Sequence, residues 1–158
     1  MGIEIERKFL VRDSTWQTRG MTGTDMKQGY LKNTPDCTVR VRLAGGQGFI
    51  TVKGRTTGAS RLEFEYPIPA GDAREMLATL CSGPIIEKIR YIIHFRGAEW
   101  VVDRFAGDNQ GLVLAEIELD FPDQAVDIPD WAGNEVTHDP RYYNASLSLN
   151  PYVNWGPG

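Results

Sequence analysis

The sequence predicts an α+β protein built on an antiparallel sheet of eight strands, with few helices. Short runs that alternate apolar and charged residues dominate the chain, and this alternation is typical of half-buried strands. Glycine-containing turns join several of these runs as hairpins, whereas parallel strands would need longer connections. A length of 158 residues favours one domain with a single core.

The strand pattern begins near the N-terminus, where residues 2–10 read GIEIERKFL. The turn Gly45-Gly46-Gln47-Gly48 joins the third and fourth runs, and Gly97-Ala98 provides a tight hairpin connection between the sixth and seventh. The seven runs after the first cover residues 26–31, 37–43, 49–54, 62–68, 86–95, 99–105 and 112–121.

Helical periodicity is confined to short stretches. A helix is predicted from Gly71-Asp72 to Leu80, and the sequence Ser82-Gly83-Pro84 ends it. Two further short helices are expected over 14–19 and 141–149. Residues 150–158 are rich in Pro, Gly and Asn and are expected to form an irregular tail, so the folded domain is assigned to residues 1–149.

Composition limits the classes of function and location. The chain has 17 Lys and Arg against 21 Asp and Glu, a net charge of −4, which argues against nucleic-acid binding through bulk positive charge. Cys37 and Cys81 lie far apart and form no CxxC pattern, so reduced thiols and a cytoplasmic location are expected. Neither an apolar signal segment nor an apolar run long enough to span a membrane occurs, so no membrane partner is expected.

Side chains at positions i and i+2 of a strand lie on the same face, and several such pairs in this sequence carry charges of the same sign. One interpretation is the solvated face of an open antiparallel sheet. The other is a closed barrel that turns the charged face inward, where carboxylates would hold divalent cations and Arg and Lys would bind a polyanion. Two features favour the barrel: the like signs within each strand, and the use of Arg, whose planar fork suits phosphate. The like-signed pairs are Arg40 with Arg42, Glu63 with Glu65, Lys88 with Arg90, and Glu116 with Glu118.

The order of these charged elements resembles a known family. The opening Glu4-Ile5-Glu6-Arg7-Lys8 carries an ExExK pattern, and the whole set is similar to the CYTH superfamily, the triphosphate tunnel metalloenzymes, over residues 1 to about 149. The further elements of the resemblance, in order, are Gln28-Gly29-Tyr30-Leu31, Arg40-Val41-Arg42, Thr51-Val52-Lys53, Arg61-Leu62-Glu63-Phe64-Glu65, Glu87-Lys88-Ile89-Arg90-Tyr91, Asp103 with Phe105-Ala106-Gly107, Glu116-Ile117-Glu118, and Glu135-Val136-Thr137 through Arg141-Tyr142-Tyr143-Asn144.

The resemblance implies a fold and a set of site residues. The implied fold is a closed eight-stranded antiparallel β-barrel, or tunnel, with helices packed outside. Mg²⁺ or Mn²⁺ would be held by Glu4, Glu6, Asp103, Glu116 and Glu118. A linear triphosphate would be bound by Lys8, Arg40, Arg42, Lys53, Lys88 and Arg90. Members of the family often carry Lys where this chain has Tyr143, so a cationic contribution from that position is in question.

Four further residue roles follow from the resemblance and from simple electrostatics. Glu63 and Glu65 either position metal-bound water or balance the arginines. Lys8 or Lys88 would organise the attacking water, provided that burial among other cations lowers the pKa of that lysine.

The activity implied by the resemblance is hydrolysis of the terminal phosphate of a linear triphosphate, with inorganic tripolyphosphate giving pyrophosphate and phosphate. The alternatives are a class IV-type adenylate cyclase, a nucleoside or thiamine triphosphatase, and a polyphosphate-binding module without turnover. The expected partner is a small polyanion, either tripolyphosphate or a nucleoside triphosphate. Homodimers are usual in the family, so a homodimer is among the expected assemblies.

Overall fold

In a computed structural model, which describes residues 2–156, the alternating runs form strands. All eight predicted strands are present, and most begin or end within a few residues of the predicted bounds. They are β1 (Ile3–Val11), β2 (Thr24–Thr34), β3 (Cys37–Ala44), β4 (Gln47–Gly54), β5 (Ser60–Ile68), β6 (Ser82–Phe95), β7 (Ala98–Phe105) and β8 (Val113–Glu118).

Strand β1 closes the sheet into a barrel. Its first residues, Ile3–Ile5, pair with β5, and residues Glu6–Leu10 pair with β8. The order around the barrel is β1-β5-β4-β3-β2-β6-β7-β8, and every pairing is antiparallel. The closed eight-stranded barrel is therefore confirmed, and the open sheet with a solvated charged face is excluded.

A ninth strand, β9 (Ala132–Glu135), extends the sheet beside the C-terminal end of β1, where Phe9 faces Glu135. Its four residues are too few to show an alternating pattern, and the sequence did not predict it. Two hairpin turns use the left-handed backbone region: Gly45 and Gly46 connect β3 to β4, and Arg96 and Gly97 connect β6 to β7. The second turn therefore lies one residue earlier than the predicted Gly97-Ala98.

The predicted first helix is confirmed as α1 (Ala70–Thr79), which packs on β3 and β4 outside the barrel. The predicted helix over 141–149 is shorter. A 3₁₀ turn at Pro140–Tyr142 precedes α2 (Asn144–Leu149), and Tyr143 between them is extended. In the expected irregular tail, a 3₁₀ turn at Tyr152–Asn154 packs Tyr152 and Trp155 against the barrel end.

The helix predicted over 14–19 is wrong. The Asp13 side chain accepts a hydrogen bond from the Thr15 amide at 2.9 Å, which favours a turn over a helix at this point. The segment instead buries Trp16 against Tyr91 on β6, with ring centroids 5.1 Å apart. No helix among residues 2–156 is long and apolar enough to cross a membrane.

Two apolar clusters support the barrel. One lies outside β1, β6, β7 and β8, where the loops carrying Trp16 and Trp131 cover Trp100. The other lies inside the barrel at one end, where the inward-facing Ile86 and Leu114 pack beneath Leu147 of α2. This second cluster leaves the rest of the interior to the charged residues.

The missing side chain of Gly48 lets α1 approach the β3–β4 hairpin. A Cβ atom at Gly48 would lie 2.9 Å from the Ala73 Cβ and 2.9 Å from the Ile68 carbonyl oxygen. We predict that Gly48→Ala lowers the free energy of unfolding by about 1–3 kcal/mol, because packed backbone and helix must shift.

Denaturant unfolding monitored by circular dichroism measures this effect, with Gly71→Ala as the control. Position 71 lies in α1 with nothing within 4 Å of the added atom, so Ala there is expected to leave stability unchanged or raise it. Equal stabilities of the two variants would contradict the close approach of α1.

Candidate active site

The barrel interior holds a cavity of about 220 Å³ lined mainly by charged side chains. Every predicted site residue except Asp103 lines it, and we call it the tunnel cavity. The lining residues are Glu4, Glu6, Lys8, Tyr30, Thr38, Arg40, Arg42, Lys53, Arg61, Glu63, Glu65, Lys88, Arg90, Glu116, Glu118, Tyr143, Asn144 and Ala145.

Strand pairing places these side chains in rows across the cavity wall. Lys53 on β4 faces Glu63 on β5, and Arg90 on β6 faces Asp103 on β7. Opposite charges directly across an antiparallel pair stabilise it, so most buried charges are compensated by the neighbouring strand. Glu6 on β1 is an exception, because it faces Glu118 on β8.

Glu4 anchors one group of ion pairs where β1 meets β5. Lys53 Nζ lies 3.1 Å and Arg61 Nε 3.2 Å from Glu4 Oε1, and Glu63 Oε2 lies 3.2 Å from the same lysine nitrogen. Burial raises the pKa of Glu4, but Lys53 and Arg61 together bring it well below its usual range. Glu4 is therefore a carboxylate with two cationic neighbours.

Asp103 anchors a second group on β6 and β7. It is 1% exposed, and both of its oxygens accept hydrogen bonds from Arg90 at 2.8 Å. Lys88 Nζ lies 2.8 Å from Asp103 Oδ2. Burial opposes ionisation of Asp103, yet these two cations hold its pKa below the usual range. Asp103 is thus not among the residues that line the tunnel cavity, and its assignment as a metal ligand stays a prediction.

The two lysines predicted to organise water differ in their surroundings. Lys8 Nζ lies 3.5 Å from Glu116 Oε1 and donates to the Tyr142 carbonyl at 3.1 Å. Burial alone would lower the pKa of Lys8, but the carboxylates of Glu116 and Glu6 raise it above its ordinary value. Burial lowers the pKa of Lys88, and Arg90 and Arg42 lower it further against the opposing effect of Asp103.

Glu6, Glu116 and Glu118 form what we call the acidic side of the tunnel cavity. Within residues 2–156, neither Glu6 nor Glu118 has a salt-bridge partner. Burial, together with the charges of Glu116 and Glu4, raises the pKa of Glu6 to about 8. In the same part of the chain, no three His, Cys, Asp or Glu side chains converge into a ready-made metal cluster.

The acidic side nevertheless fits a divalent cation by its donor chemistry. Two carboxylates that face each other without compensation destabilise the strand pair, and a cation between them would remove the repulsion. Mg²⁺ and Mn²⁺ prefer carboxylate oxygens, and Mg²⁺ keeps several waters, so a small number of protein ligands suffices.

Arg40, Arg42 and Arg90 form what we call the arginine wall. Arg40 Nη2 donates to Thr51 Oγ1 at 3.1 Å and lies 3.5 Å from Glu65 Oε1, while Arg40 Nε is buried without a partner among the described residues. Burial, together with the neighbouring charges of Arg40 and Arg90, lowers the pKa of Arg42 to about 9. Unpaired donors and mutual repulsion suit this wall to an anion.

The structure adds cavity residues that the sequence reasoning did not assign. Arg61 contacts Glu4, and its place two residues before Glu63 on the same strand face could have revealed it. Gln28 and Asn144 contact each other and the cationic side chains through neutral amides. No charge pattern marks these two, and Asn144 comes from α2, which is distant in sequence from the strands.

Comparisons with known proteins agree with this architecture. The CYTH domain family matches residues 2–147. An inorganic triphosphatase from Acetivibrio thermocellus is 50% identical over 155 residues, covering 98% of this chain and 99% of that protein. An inorganic triphosphatase from Nitrosomonas europaea is 38% identical over 151 residues, covering 93% and 97%. The crystal structure of the inorganic triphosphatase NE1496 matches with a TM-score of 0.66 at 35% identity, covering 98% of this chain and 97% of that one.

The raised pKa of Glu6 predicts how metal-free stability depends on pH. Between the ordinary pKa of 4.5 and about 8, the folded protein holds a proton that the unfolded chain has lost. The Glu6 contribution is therefore fully present below pH 4.5 and is lost as pH rises through 8. We predict that stability in EDTA falls more steeply with pH in the wild type than in Glu6→Gln.

Chemical unfolding at several pH values between 5 and 9 measures this difference. Glu75→Gln on the exposed surface of α1 is the matched control and is expected to keep the wild-type slope. A Glu6→Gln slope equal to that of the wild type would show that Glu6 does not hold the proton.

Proposed function

This chain belongs to the CYTH domain family, and we propose that it is a divalent-metal-dependent inorganic triphosphatase. It would hydrolyse the terminal phosphate of linear triphosphates, above all inorganic tripolyphosphate, to phosphate and pyrophosphate. The observation that carries the proposal is the division of one enclosed cavity into an acidic side and an arginine wall. The two inorganic triphosphatases similar over nearly the whole chain support it.

In this proposal the cations of the tunnel cavity bind the triphosphate. The planar guanidinium groups of the arginine wall suit bidentate contacts to phosphate oxygens, and lysines add point charges. Phosphoryl transfer requires chiefly alignment of the reactants and neutralisation of the phosphoryl oxygens, and a preorganised cavity supplies both. The binding residues are Lys8, Arg40, Arg42, Lys53, Lys88 and Arg90, and Arg61 joins them.

The acidic side, together with Glu4, would hold the divalent cation, which we propose to be Mg²⁺ or Mn²⁺. When bound, the cation supplies neutralising charge at the phosphate oxygens and makes water a stronger nucleophile. Asp103 has a different role in this proposal. Because both of its oxygens already accept from Arg90, it holds Arg90 and Lys88 in place for the substrate.

The lysines and the glutamates that were predicted to position water receive different roles in this proposal. Lys88 Nζ is better suited than Lys8 Nζ to accept and donate a proton. Burial and neighbouring cations lower the pKa of Lys88, whereas carboxylates raise the pKa of Lys8. Glu63 and Glu65 chiefly orient cations, since Glu63 contacts Lys53 and Glu65 accepts from Thr51 at 2.8 Å beside Arg40.

The location and the remaining partners complete the proposal. The described Cys37 and Cys81 are both free thiols, which fits a reducing compartment such as the cytoplasm. Neither a nucleic acid nor a membrane is among the proposed partners.

Activity assays test the proposed function directly. Purified protein is incubated with tripolyphosphate, ATP or thiamine triphosphate in Mg²⁺, Mn²⁺ or EDTA, and phosphate, pyrophosphate and cyclic AMP are measured. We predict that tripolyphosphate gives phosphate and pyrophosphate with the highest kcat/KM, and that EDTA abolishes the reaction. Glu116→Gln should lower kcat/KM at least about 100-fold, because it weakens both the acidic side and the Lys8 contact.

The exposed Glu75→Gln serves again as the control and should retain full activity. Cyclic AMP released from ATP would indicate a cyclase, and tight binding without turnover would indicate a polyphosphate-binding module. Preference for ATP or thiamine triphosphate would indicate a nucleoside or thiamine triphosphatase. Full activity of Glu116→Gln would contradict the site assignment.

We also propose that a second copy of the chain covers the outer face of β5. Leu62, Phe64 and Tyr66 are exposed on that face, and Ile3 of β1 lies directly beside Leu62. These side chains form an uncharged patch of roughly a few hundred Å², comparable to the largest patch on a typical monomer and suited to the centre of an interface burying about 800 Å² per partner. A two-fold axis would bring this stripe against its own copy without opposing charges.

Light scattering coupled to size-exclusion chromatography measures the assembly. We predict a dimer at micromolar concentrations and a shift to monomer for Phe64→Asp, because the interface would bury an unpaired carboxylate. Leu80→Asp, at an exposed apolar position beyond α1, is the control and should stay dimeric. A monomeric wild type, or a dimeric Phe64→Asp variant, would contradict this interface.

A further inference from the structure

Gln28 carries no charge and contacts the arginine wall through a hydrogen bond to Arg42. It is 0% exposed on β2, directly opposite Arg42 on β3. Its Oε1 accepts from Arg42 Nε at 3.0 Å, and its Nε2 donates to Asn144 Oδ1 at 3.0 Å. Asn144 Oδ1 also accepts from Lys88 Nζ at 2.9 Å. Two neutral amides therefore connect Arg42 to Lys88 across the strands.

Arg42 differs from the other cations of the tunnel cavity in its partner. Lys8, Lys53, Arg40, Arg61, Lys88 and Arg90 each have a carboxylate within 4 Å. Among residues 2–156, Arg42 has no carboxylate partner at that distance, and its side-chain hydrogen bond goes to Gln28.

A neutral partner has a specific physical effect. A carboxylate would orient the guanidinium but cancel its charge, and a solvated guanidinium would keep its charge but lose its orientation. The amide oxygen of Gln28 fixes the direction of Arg42 Nε and leaves the positive charge uncompensated. Arg42 lines the tunnel cavity, and among the described residues its other side-chain nitrogens make no hydrogen bond, so they are available to an anion there.

We propose that Gln28 is a positioning residue for triphosphate binding, which presents Arg42 to a phosphate group in a fixed orientation with its charge uncompensated. This inference rests on the proposed function, because it names how that same cavity binds its substrate. Gln28 acts through Arg42 and does not itself contact the phosphate. The bond to Asn144 holds the Gln28 amide in the orientation that turns its oxygen toward Arg42.

Two substitutions of nearly equal size separate positioning from a packing role. Gln28→Met keeps the volume but removes the hydrogen bonds, so we expect the Kd for tripolyphosphate in EDTA to rise about tenfold. Gln28→Glu can still accept from Arg42 Nε but neutralises it, so we expect a larger rise, about 30-fold or more. A purely structural role would predict the opposite order, since Glu preserves the bond that Met loses.

Calorimetric titration of the metal-free protein with tripolyphosphate gives the Kd values, and steady-state kinetics should show KM rising with kcat nearly unchanged. Gln47→Glu makes the same chemical change at an exposed position on β4 and should bind within twofold of the wild type. If Gln28→Glu does not fold, as judged by circular dichroism, a double-mutant cycle decides. Gln28→Met should then have no further effect on Kd in an Arg42→Ala background, because Gln28 acts through Arg42.

The outcomes for the inference and for the proposed function are distinct. A wild type that binds tripolyphosphate without hydrolysing it would overturn the proposed function, while the Kd comparison would still decide the role of Gln28. A wild type that does not bind would overturn both. Equal Kd values for wild type and Gln28→Met, weaker binding by Gln28→Met than by Gln28→Glu, or additive effects with Arg42→Ala would overturn the inference.

Discussion

Charge compensation inside a closed barrel is the constraint on which the rest of this structure depends. Closure by β1, which pairs with β5 at one end and β8 along the rest, removes the charged strand faces from bulk water. Isolated charges in such an interior are very unfavourable, so each needs a partner or a ligand. Cross-strand register supplies most partners, as between Lys53 and Glu63 or Arg90 and Asp103.

Among residues 2–156, two places where this compensation is incomplete mark the chemistry. On the acidic side, Glu6 faces Glu118, and burial together with neighbouring carboxylates raises the pKa of Glu6. On the arginine wall, Arg42 is held by an amide and repelled by its neighbours. A cation would compensate the acidic side and a polyanion would compensate the arginine wall. A metal–triphosphate complex would therefore reduce the repulsion at both places at once. These uncompensated charges are thus preorganised for the ligand, because folding has already brought groups of like charge close together.

Much of the fold and site followed from local sequence pattern. Alternation over residues such as Glu4, Glu6 and Lys8 predicted strands and their faces, and the order of charged motifs indicated the family. The helix that was predicted wrongly and the strand that was not predicted both have local causes. The segment around Asp13 and Trp16 begins with Asp13 and Ser14, which are typical of a helix N-terminus, but a side-chain turn and burial of the tryptophan compete with helix formation. Strand β9 is too short for its period to be visible, and its pairing depends on β1.

By itself the sequence determined which side chains share a strand face, because side-chain direction alternates along every strand whatever its neighbours are. It therefore determined that like-signed pairs such as Arg40 with Arg42 and Glu116 with Glu118 would share a face. Only the tertiary structure decided which sets meet, since pairing depends on register between distant strands and on α2. It placed Asp103 in an ion pair with Arg90 and Lys88 and brought Asn144 to Gln28 from 116 residues away. Within the part of the chain that the structure describes, it left Glu6 and Arg42 without a salt-bridge partner. Alternation is a property of one strand, whereas compensation is a property of the closed barrel.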